Sequence, residues 1–459
     1  MQKFDTVIIG GGPGGYVCAI RAAQLGGNVA VIERENLGGI CLNWGCIPTK
    51  ALLKSSEVFR TFSHATDYGF KHKGVSMDMG KIISRSRDVA GKLSDGIGYL
   101  LKKNKVTVIE GTASFKNKHT VTVHNKDIHF TNAVVATGAR ARQIPNVLEA
   151  DGKNIWTYRD ALVPKSLPKS ILVIGAGAIG VEFASFYSTL GTKVTIVEGL
   201  DRIVPVEDKE ISTHLQKSLK KDGIDIKTST LTKSLKSGKS DVKVVLEKNG
   251  KKTKHTFEKV LLAIGVQGNT ENLGLEKLGV VMDKGIIKTD EFYHTNIDNI
   301  YAIGDVCGRQ LLAHVASHEG IICAETIAGH HTHPMNYENI PGCTYCTPQI
   351  ASTGLTEEAA KEKGYEIKIG KFSYGANGKA LAIGEEDGFI KTIFDKQTGA
   401  LLGAHIIGAE ATEMISTFVV ARQMEATEED LINSCLPHPT LSEMIGESVL
   451  DSEGRVIHA

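Results

Sequence analysis

One local design occurs twice in this chain, and that repetition limits the fold more than any other feature. Residues 6–15 read TVIIGGGPGG and residues 171–180 read ILVIGAGAIG. Each is an apolar run closing on G-x-G-x-x-G, through Gly10, Gly12 and Gly15 in the first copy and Gly175, Gly177 and Gly180 in the second. Each passes into a helical stretch, YVCAIRAAQLG or VEFASFYSTLG. Each ends on a second apolar strand closing with an acid, NVAVIE at Glu33 and KVTIVE at Glu198. A lone glycine fingerprint carries little weight, but strand, helix and terminal acid in matching order make two βαβ units. The glycines permit a tight turn and let the backbone approach a pyrophosphate, whose charge then lies at a helix amino terminus. Glu33 and Glu198 are placed to bind the hydroxyls of two adenosine riboses. Two dinucleotide sites in an α/β fold are therefore expected. At the second, a carboxylate would repel a ribose phosphate and favours NAD; Arg202, four residues on, keeps NADP open.

The rest of the chain fits around this pair. Its 459 residues suggest about three domains, at roughly 100–200 residues each. The runs AVVATG and VLLAIG, closing at Gly138 and Gly265, each return the chain to a sheet, and NIYAIGD adds a strand ending at Asp305. Past about residue 335 the pattern changes. FIKTIFD and LLGAHIIG predict antiparallel strands and EATEEDLINS a helix, so a separate α+β domain is expected there.

Charge excludes some partners. With 53 basic and 52 acidic residues the net charge is +1, which gives no reason to expect nucleic acid. The lysine-dense region 217–259 is interleaved with other polar residues and reads as a solvated face. No run approaches the ~20 apolar residues needed to cross a bilayer. The start MQKFDTVIIGGG enters a strand at once, without the flanks of a signal peptide. A cytoplasmic protein is expected, or a mitochondrial-matrix one if a transit peptide has been removed.

Eight cysteines in so long a chain make no disulfide scaffold, and in a reducing compartment a close pair is redox-active or metal-binding. The sharpest segment is GGICLNWGCIPTK, residues 38–50, with Cys41 and Cys46 separated by LNWG. Zinc sites need a second ligand pair, so no metal is expected. A redox pair at the start of one rigid helix fits better, because a helix amino terminus stabilises a thiolate. One sulfur can exchange with an external dithiol while the other faces an electron acceptor.

With both βαβ units, ATG, AIG, IGD and a late HPTLSE, that segment resembles the flavin-dependent disulfide oxidoreductases over nearly the whole chain. Within them it is most similar to the branch that oxidises dihydrolipoamide. The resemblance implies FAD and NAD, with residues 1–145 and 266–335 holding FAD, 146–265 holding NAD and 336–459 forming an interface domain. It implies that Cys41 exchanges with substrate and Cys46 contacts the flavin. Lys50 would lie near the flavin, with Glu182 as its pairing acid. Ala113, Thr137, Gly138, Asp305 and Ala313 would contact FAD, and the helix starting near Ala313 would point its positive end at the flavin ring. Gly265 would join Glu182 and Glu198 beside NAD. His438 would be the base, oriented by Glu443, and would serve the cysteines of a second subunit in a homodimer. Lipoyl domains and the subunit-binding domain of a 2-oxo-acid dehydrogenase acyltransferase would be its partners, with dihydrolipoamide as substrate.

Three other outcomes are weighed. A small disulfide such as glutathione is opposed by Glu198 and HPTLSE. A mercuric-ion reductase is opposed by a tail, DSEGRVIHA, that lacks a cysteine pair. A catalytically inert binding subunit is opposed by the intact cysteines and His438. After AIG the chain reads VQGNTENLG, where many relatives carry arginine and proline. Cys343 and Cys346 are read as structural thiols on opposite faces of a strand. Cys18, Cys307, Cys323 and Cys435 are read as small core residues, and His330, His331 and His333 as a surface loop.

Overall fold

The computed structural model describes residues 2–71 and 73–458. They divide into two units. The first comprises the residues through Leu52, Asp78–Arg142 and Gly265–Met335; the second comprises Leu53–Met77, Gln143–Ile264 and the residues from Asn336 onward.

The first unit is built on a parallel sheet. Gln2–Ile9 lies between Val29–Glu33 and Lys126–Val135; Thr107–Glu110 and Ile300–Ala302 extend the parallel part, and Thr120–Val123 and Ser114–Asn117 add an antiparallel hairpin. Its central strands close in apolar runs, Val7–Ile9, Val29–Ile32 and Ala133–Val135, because both faces are covered there. Alternate residues serve different cores. Val7 and Ile9 join Ala30, Ile32 and Val135 on one face. Ile8 joins Val29, Val31 and Val134 on the other. Helix Pro13–Gln24 packs on that second face against helix Ala313–Ile327. Any side chain at Gly320 would stand 2.6 Å from the Gly14 carbonyl oxygen, so glycine lets the two helix backbones close up.

The second unit contains its own parallel sheet, in the order Asp225–Lys227, Lys193–Val197, Ser170–Ile174, Lys259–Leu262 and Ile155–Trp156. The lysine-rich region folds partly as an antiparallel sheet of Leu231–Ser237, Val242–Lys248 and Lys251–Phe257. Val242, Val244 and Leu246 point inward while Lys243 and Lys248 are exposed, so the region is the solvated face expected of it.

The later part of this unit is an antiparallel sheet ordered Gly342–Thr344, Gln349–Gly354, Leu401–Gly408, Phe389–Asp395 and Ile367–Ser373. Helix Glu443–Ser452 lies flat on it: any side chain at Gly370 would stand 1.7 Å from the Ser448 carbonyl oxygen, which also accepts from Thr392 Oγ1 at 3.2 Å. Lys391 lies within this sheet at 1% exposure, and its charge is matched by Asp208 at 3.1 Å and Glu357 at 2.6 Å. Neighbouring Glu207 is buried too. Burial pushes its carboxyl up to about 7, against a lowering hydrogen bond from Ser352 and with a smaller raising contribution from Asp208.

Three expectations need correction. The cysteine segment is not one rigid helix. Gly39–Trp44 and Cys46–Ser63 are separate helices, broken at Gly45 where φ is −138° and ψ is −115°. CTYC is not one alternating strand either: Cys343 lies in Gly342–Thr344, but Cys346 falls in the connection to the next strand, where its Sγ donates to the Pro348 carbonyl at 3.2 Å. The following prolyl turn interrupts the ladder, so opposite faces do not describe these sulfurs. Cys435 is exposed rather than in the core, whereas Cys18, Cys307 and Cys323 are buried. It sits in the loop between helices Glu428–Ile432 and Glu443–Ser452.

Candidate functional site: two nucleotide cradles, a cysteine pair and a histidine–glutamate dyad

The two glycine turns share one geometry. Gly10 and Gly175 have φ of +109° and +102°, and a Cβ at either would meet the carbonyl oxygen of Ala136 or Ala263 at 2.3 Å. A Cβ at Gly15 would lie 1.9 Å from the Gly10 carbonyl oxygen, and one at Gly180 would lie 2.0 Å from that of Gly175. These residues shape the turn. Gly12 and Gly177 do something else. Each is the residue before its helix, neither caps that helix with a side chain, and a Cβ there would meet nothing closer than 3.8 Å at Gly12 and nothing within 4 Å at Gly177. The space is left open in front of a helix amino terminus without a side-chain cap, which is the form that receives a pyrophosphate. The acids close each cradle. Glu33 Oε2 accepts from the Gly11 amide at 2.7 Å and Oε1 from the Glu35 amide at 2.8 Å. Glu198 Oε2 accepts from the Ala176 amide at 2.7 Å and Oε1 from the Leu200 amide at 2.9 Å. Both cradles therefore fit a dinucleotide. Arg202 is engaged by Glu358 at 2.9 Å, and so does not offer an uncommitted cation for a 2′-phosphate.

The cysteines rest on the first cradle. Gly38 starts the turn into the helix of Cys41 at φ +88°, and its amide donates to the Gly11 carbonyl at 2.8 Å. A Cβ at Gly39 would stand 2.8 Å from the Gly12 Cα, so the sulfur-bearing helix can lie against the pyrophosphate turn only because residue 39 is glycine. Cys41 is half-buried and Cys46 exposed. The Cys41 thiol is held far above its ordinary range, first by its hydrogen bond with Cys46, then by burial and by charge on Cys46; Lys50 acts in the opposite sense. The Cys41 proton is therefore harder to remove than that of an ordinary thiol. Tyr16, one turn into the first helix, has its hydroxyl pushed up by burial and by charge on Cys41.

The other expected FAD residues of this unit stand as follows. Ala113 is buried just before Ser114–Asn117. Thr137 and Gly138 lie beyond Lys126–Val135, and Asn269 ties them down: Thr137 Oγ1 donates to the Asn269 carbonyl at 2.7 Å, and the Asn269 amide donates to the Gly138 carbonyl at 2.9 Å. The unusual VQGN stretch therefore braces this turn. Gly265 precedes it at φ +99°. Asp305 has its carboxyl pushed up to about 6 by burial and then by Glu319, whose Oε2 accepts the Gly304 amide at 2.5 Å. Ala313 is the first residue of Ala313–Ile327, which carries no side-chain cap.

In the second unit, Glu182 is buried on Ala178–Thr189, and its Oε1 accepts from the Tyr345 amide at 2.9 Å. His438 and Glu443 are brought together there. Glu443 Oε1 lies 2.8 Å from His438 Nδ1, and Oε2 accepts from the Thr440 amide at 2.8 Å. The amide bond first, and then His438, hold the Glu443 carboxyl below its usual range. Nδ1 is engaged by Glu443, and the His438 side chain is 79% exposed.

Sequence reasoning missed the braces around the cysteines. Asn43 Nδ2 donates to the carbonyls of Leu37 at 2.9 Å and Gly39 at 3.0 Å. Trp44 donates to Glu35 at 2.9 Å and is covered by the Arg87 guanidinium at 4.3 Å. Thr49 Oγ1 closes the helix break by donating to the Gly45 carbonyl at 2.7 Å. A polar residue between two cysteines in an otherwise apolar turn was the available signal for Asn43.

Residues 4–320 match the pyridine nucleotide-disulphide oxidoreductase family, and residues 340–449 match its dimerisation domain. A dihydrolipoyl dehydrogenase of Zymomonas mobilis is 52% identical, covering 100% of this chain and 99% of that one. One of Rhizobium etli is 49% identical, with 100% of both covered. The crystal structure of LpdA from Mycobacterium tuberculosis superposes with a TM-score of 0.90 at 26% identity, covering 98% of this chain and 99% of that one. Paired cradles, a cysteine pair laid on one of them and full-length similarity agree, and the chain belongs to the pyridine nucleotide-disulphide oxidoreductase family.

Proposed function

We propose that this chain is a dihydrolipoyl dehydrogenase, oxidising dihydrolipoamide and reducing NAD+ as a homodimer within a 2-oxo-acid dehydrogenase complex. Lipoyl domains deliver the substrate, and the subunit-binding domain of the acyltransferase retains the enzyme. FAD would be held by the first cradle, through Gly10, Gly12, Gly15 and Glu33, and would supply a two-electron carrier between the cysteine pair and the NAD+ held by Gly175, Gly177, Gly180 and Glu198. The protein's own groups carry the thiol chemistry. His438 Nε2 accepts the proton of an incoming thiol, while Glu443 holds the ring and stabilises the imidazolium. The substrate thiolate attacks Cys41 of the oxidised pair, and Cys46 leaves as thiolate. The second substrate sulfur then attacks the first, Cys41 leaves, and lipoamide departs as a cyclic disulfide. Both electrons now reside on the cysteine pair. The proton held on Cys41 leaves Cys46 as the electron-rich sulfur, the form needed against the flavin.

The observation that carries this reading is the close approach of Gly39 to Gly12, which places the cysteine helix on the turn of one cradle while a second, separate cradle remains for NAD. Turnover should be measured with dihydrolipoamide and NAD+, and with glutathione disulfide and NADPH. The first pair should dominate by at least about 100-fold; a preference for the second would overturn the proposal. Two-electron reduction should also give a long-wavelength band that Cys46→Ser removes with FAD retained.

A further inference from the structure

Glu443 is not the only carboxylate on its helix that holds an imidazole. Glu447, one turn further along, accepts His458 Nδ1 on Oε1 at 2.7 Å. Its Oε2 accepts the amides of Ile457 at 3.1 Å and His458 at 3.4 Å. Val456 packs against the adjacent apolar core, so this segment arrives at a defined place. Carboxylates four residues apart on one helix face repel each other, and either could compete for a nearby imidazole. Here neither can, because each is committed at both oxygens. A protonated His458 also reaches Glu443 and favours its ionised form. Other acids on this helix and just beyond are occupied elsewhere: Asp451 accepts the Lys371 amide at 2.8 Å, and Glu453 pairs with Lys368 at 2.6 Å.

We propose that His458 and Glu447 form an accessory positioning pair, which balances the charge beside the base and reserves Glu443 for His438. This rests on reading His438 as the base. The pair touches no reacting atom; it sets the electrostatic setting in which the base works.

The test is the pH dependence of kcat/KM for dihydrolipoamide. His458→Gln leaves the Glu447 charge unbalanced, which favours the protonated base and moves the acid limb to higher pH by about 0.3 unit. The double variant Glu447→Gln/His458→Gln removes both charges and returns the limb to the parent position. About 1 M salt should collapse the single-variant shift. A His458→Gln limb that overlays the parent overturns the pairing, and so does a double variant that stays shifted, since that marks a purely structural loss. His438→Gln separates the two ideas. If it retains turnover, the base reading has failed; if it is inactive while His458→Gln matches the parent, only the accessory pair has.

Discussion

The two nucleotide cradles are built alike and used differently. In both, the acid bonds the amide after the first glycine at 2.7 Å. In both, the following loop swings back to donate a backbone amide to the carbonyl of that same residue at 2.8 Å, from Gly38 in the first and from Val204 in the second. Beyond that point they diverge. The first loop runs through Gly39 into the cysteine helix. The second runs into Glu207 and Asp208, and so into the buried charges around Lys391. One scaffold thus carries a cysteine pair at a place where its copy carries buried carboxylates. Chemistry here is set by what the loop after the acid delivers, not by the cradle itself.

Four experiments press on this contrast. The largest effect is expected from Cys41→Ser, which removes the cargo of the first loop and should cut dihydrolipoamide turnover by roughly 10³-fold or more, since the exchange step is lost outright. FAD content should be unchanged; loss of FAD would mean that sulfur and cradle are not separable. His438→Gln should cut turnover by a factor on the order of 10² with the fold intact, and undiminished rates would remove the dyad from the mechanism.

Glu207→Gln probes the cargo of the second loop. A carboxyl raised to about 7 by burial holds its proton in the folded state after the unfolded chain has released it. Its stabilising contribution is therefore complete below about pH 4.5 and lost as pH rises towards 7. The variant should gain about 2 kcal/mol over the parent between pH 5 and pH 8, read from urea midpoints. An equal difference at both values would contradict the shift. The smallest effect concerns the open positions. Gly177→Ala should keep stability within about 0.5 kcal/mol yet raise the KM for NAD+ about tenfold, because the methyl enters the pyrophosphate space. Gly12→Ala should weaken FAD instead. If both substitutions weakened the same nucleotide, the cradles would have been assigned wrongly.

Much of this was legible in the chain because it is local. A strand, three spaced glycines, a helix and an acid declare a cradle within one short stretch, and HPTLSE contains its own hydrogen bond between His438 and Glu443. What was not legible depends on backbone detail or on distant partners. Nothing in LNWG announces that Gly45 breaks the helix, since glycine is tolerated within helices as well as at their ends. The exposure of Cys435 follows from loop placement, which side-chain type does not reveal. Asn269 looked like a departure from a pattern, yet it is tied to Thr137 through two hydrogen bonds. The pairing of His458 with Glu447 required knowing that Val456 turns the segment back onto its own helix.

The bond between Arg202 and Glu358 has a practical consequence for anyone wishing to swap the nicotinamide carrier. Neutralising Glu198 alone lifts the repulsion towards a phosphorylated ribose but recruits nothing to welcome it, because the neighbouring guanidinium is tethered elsewhere. Retooling the enzyme for the phosphorylated carrier would demand cutting that tether as well, at a residue far along the chain that no inspection of the glycine motif would nominate.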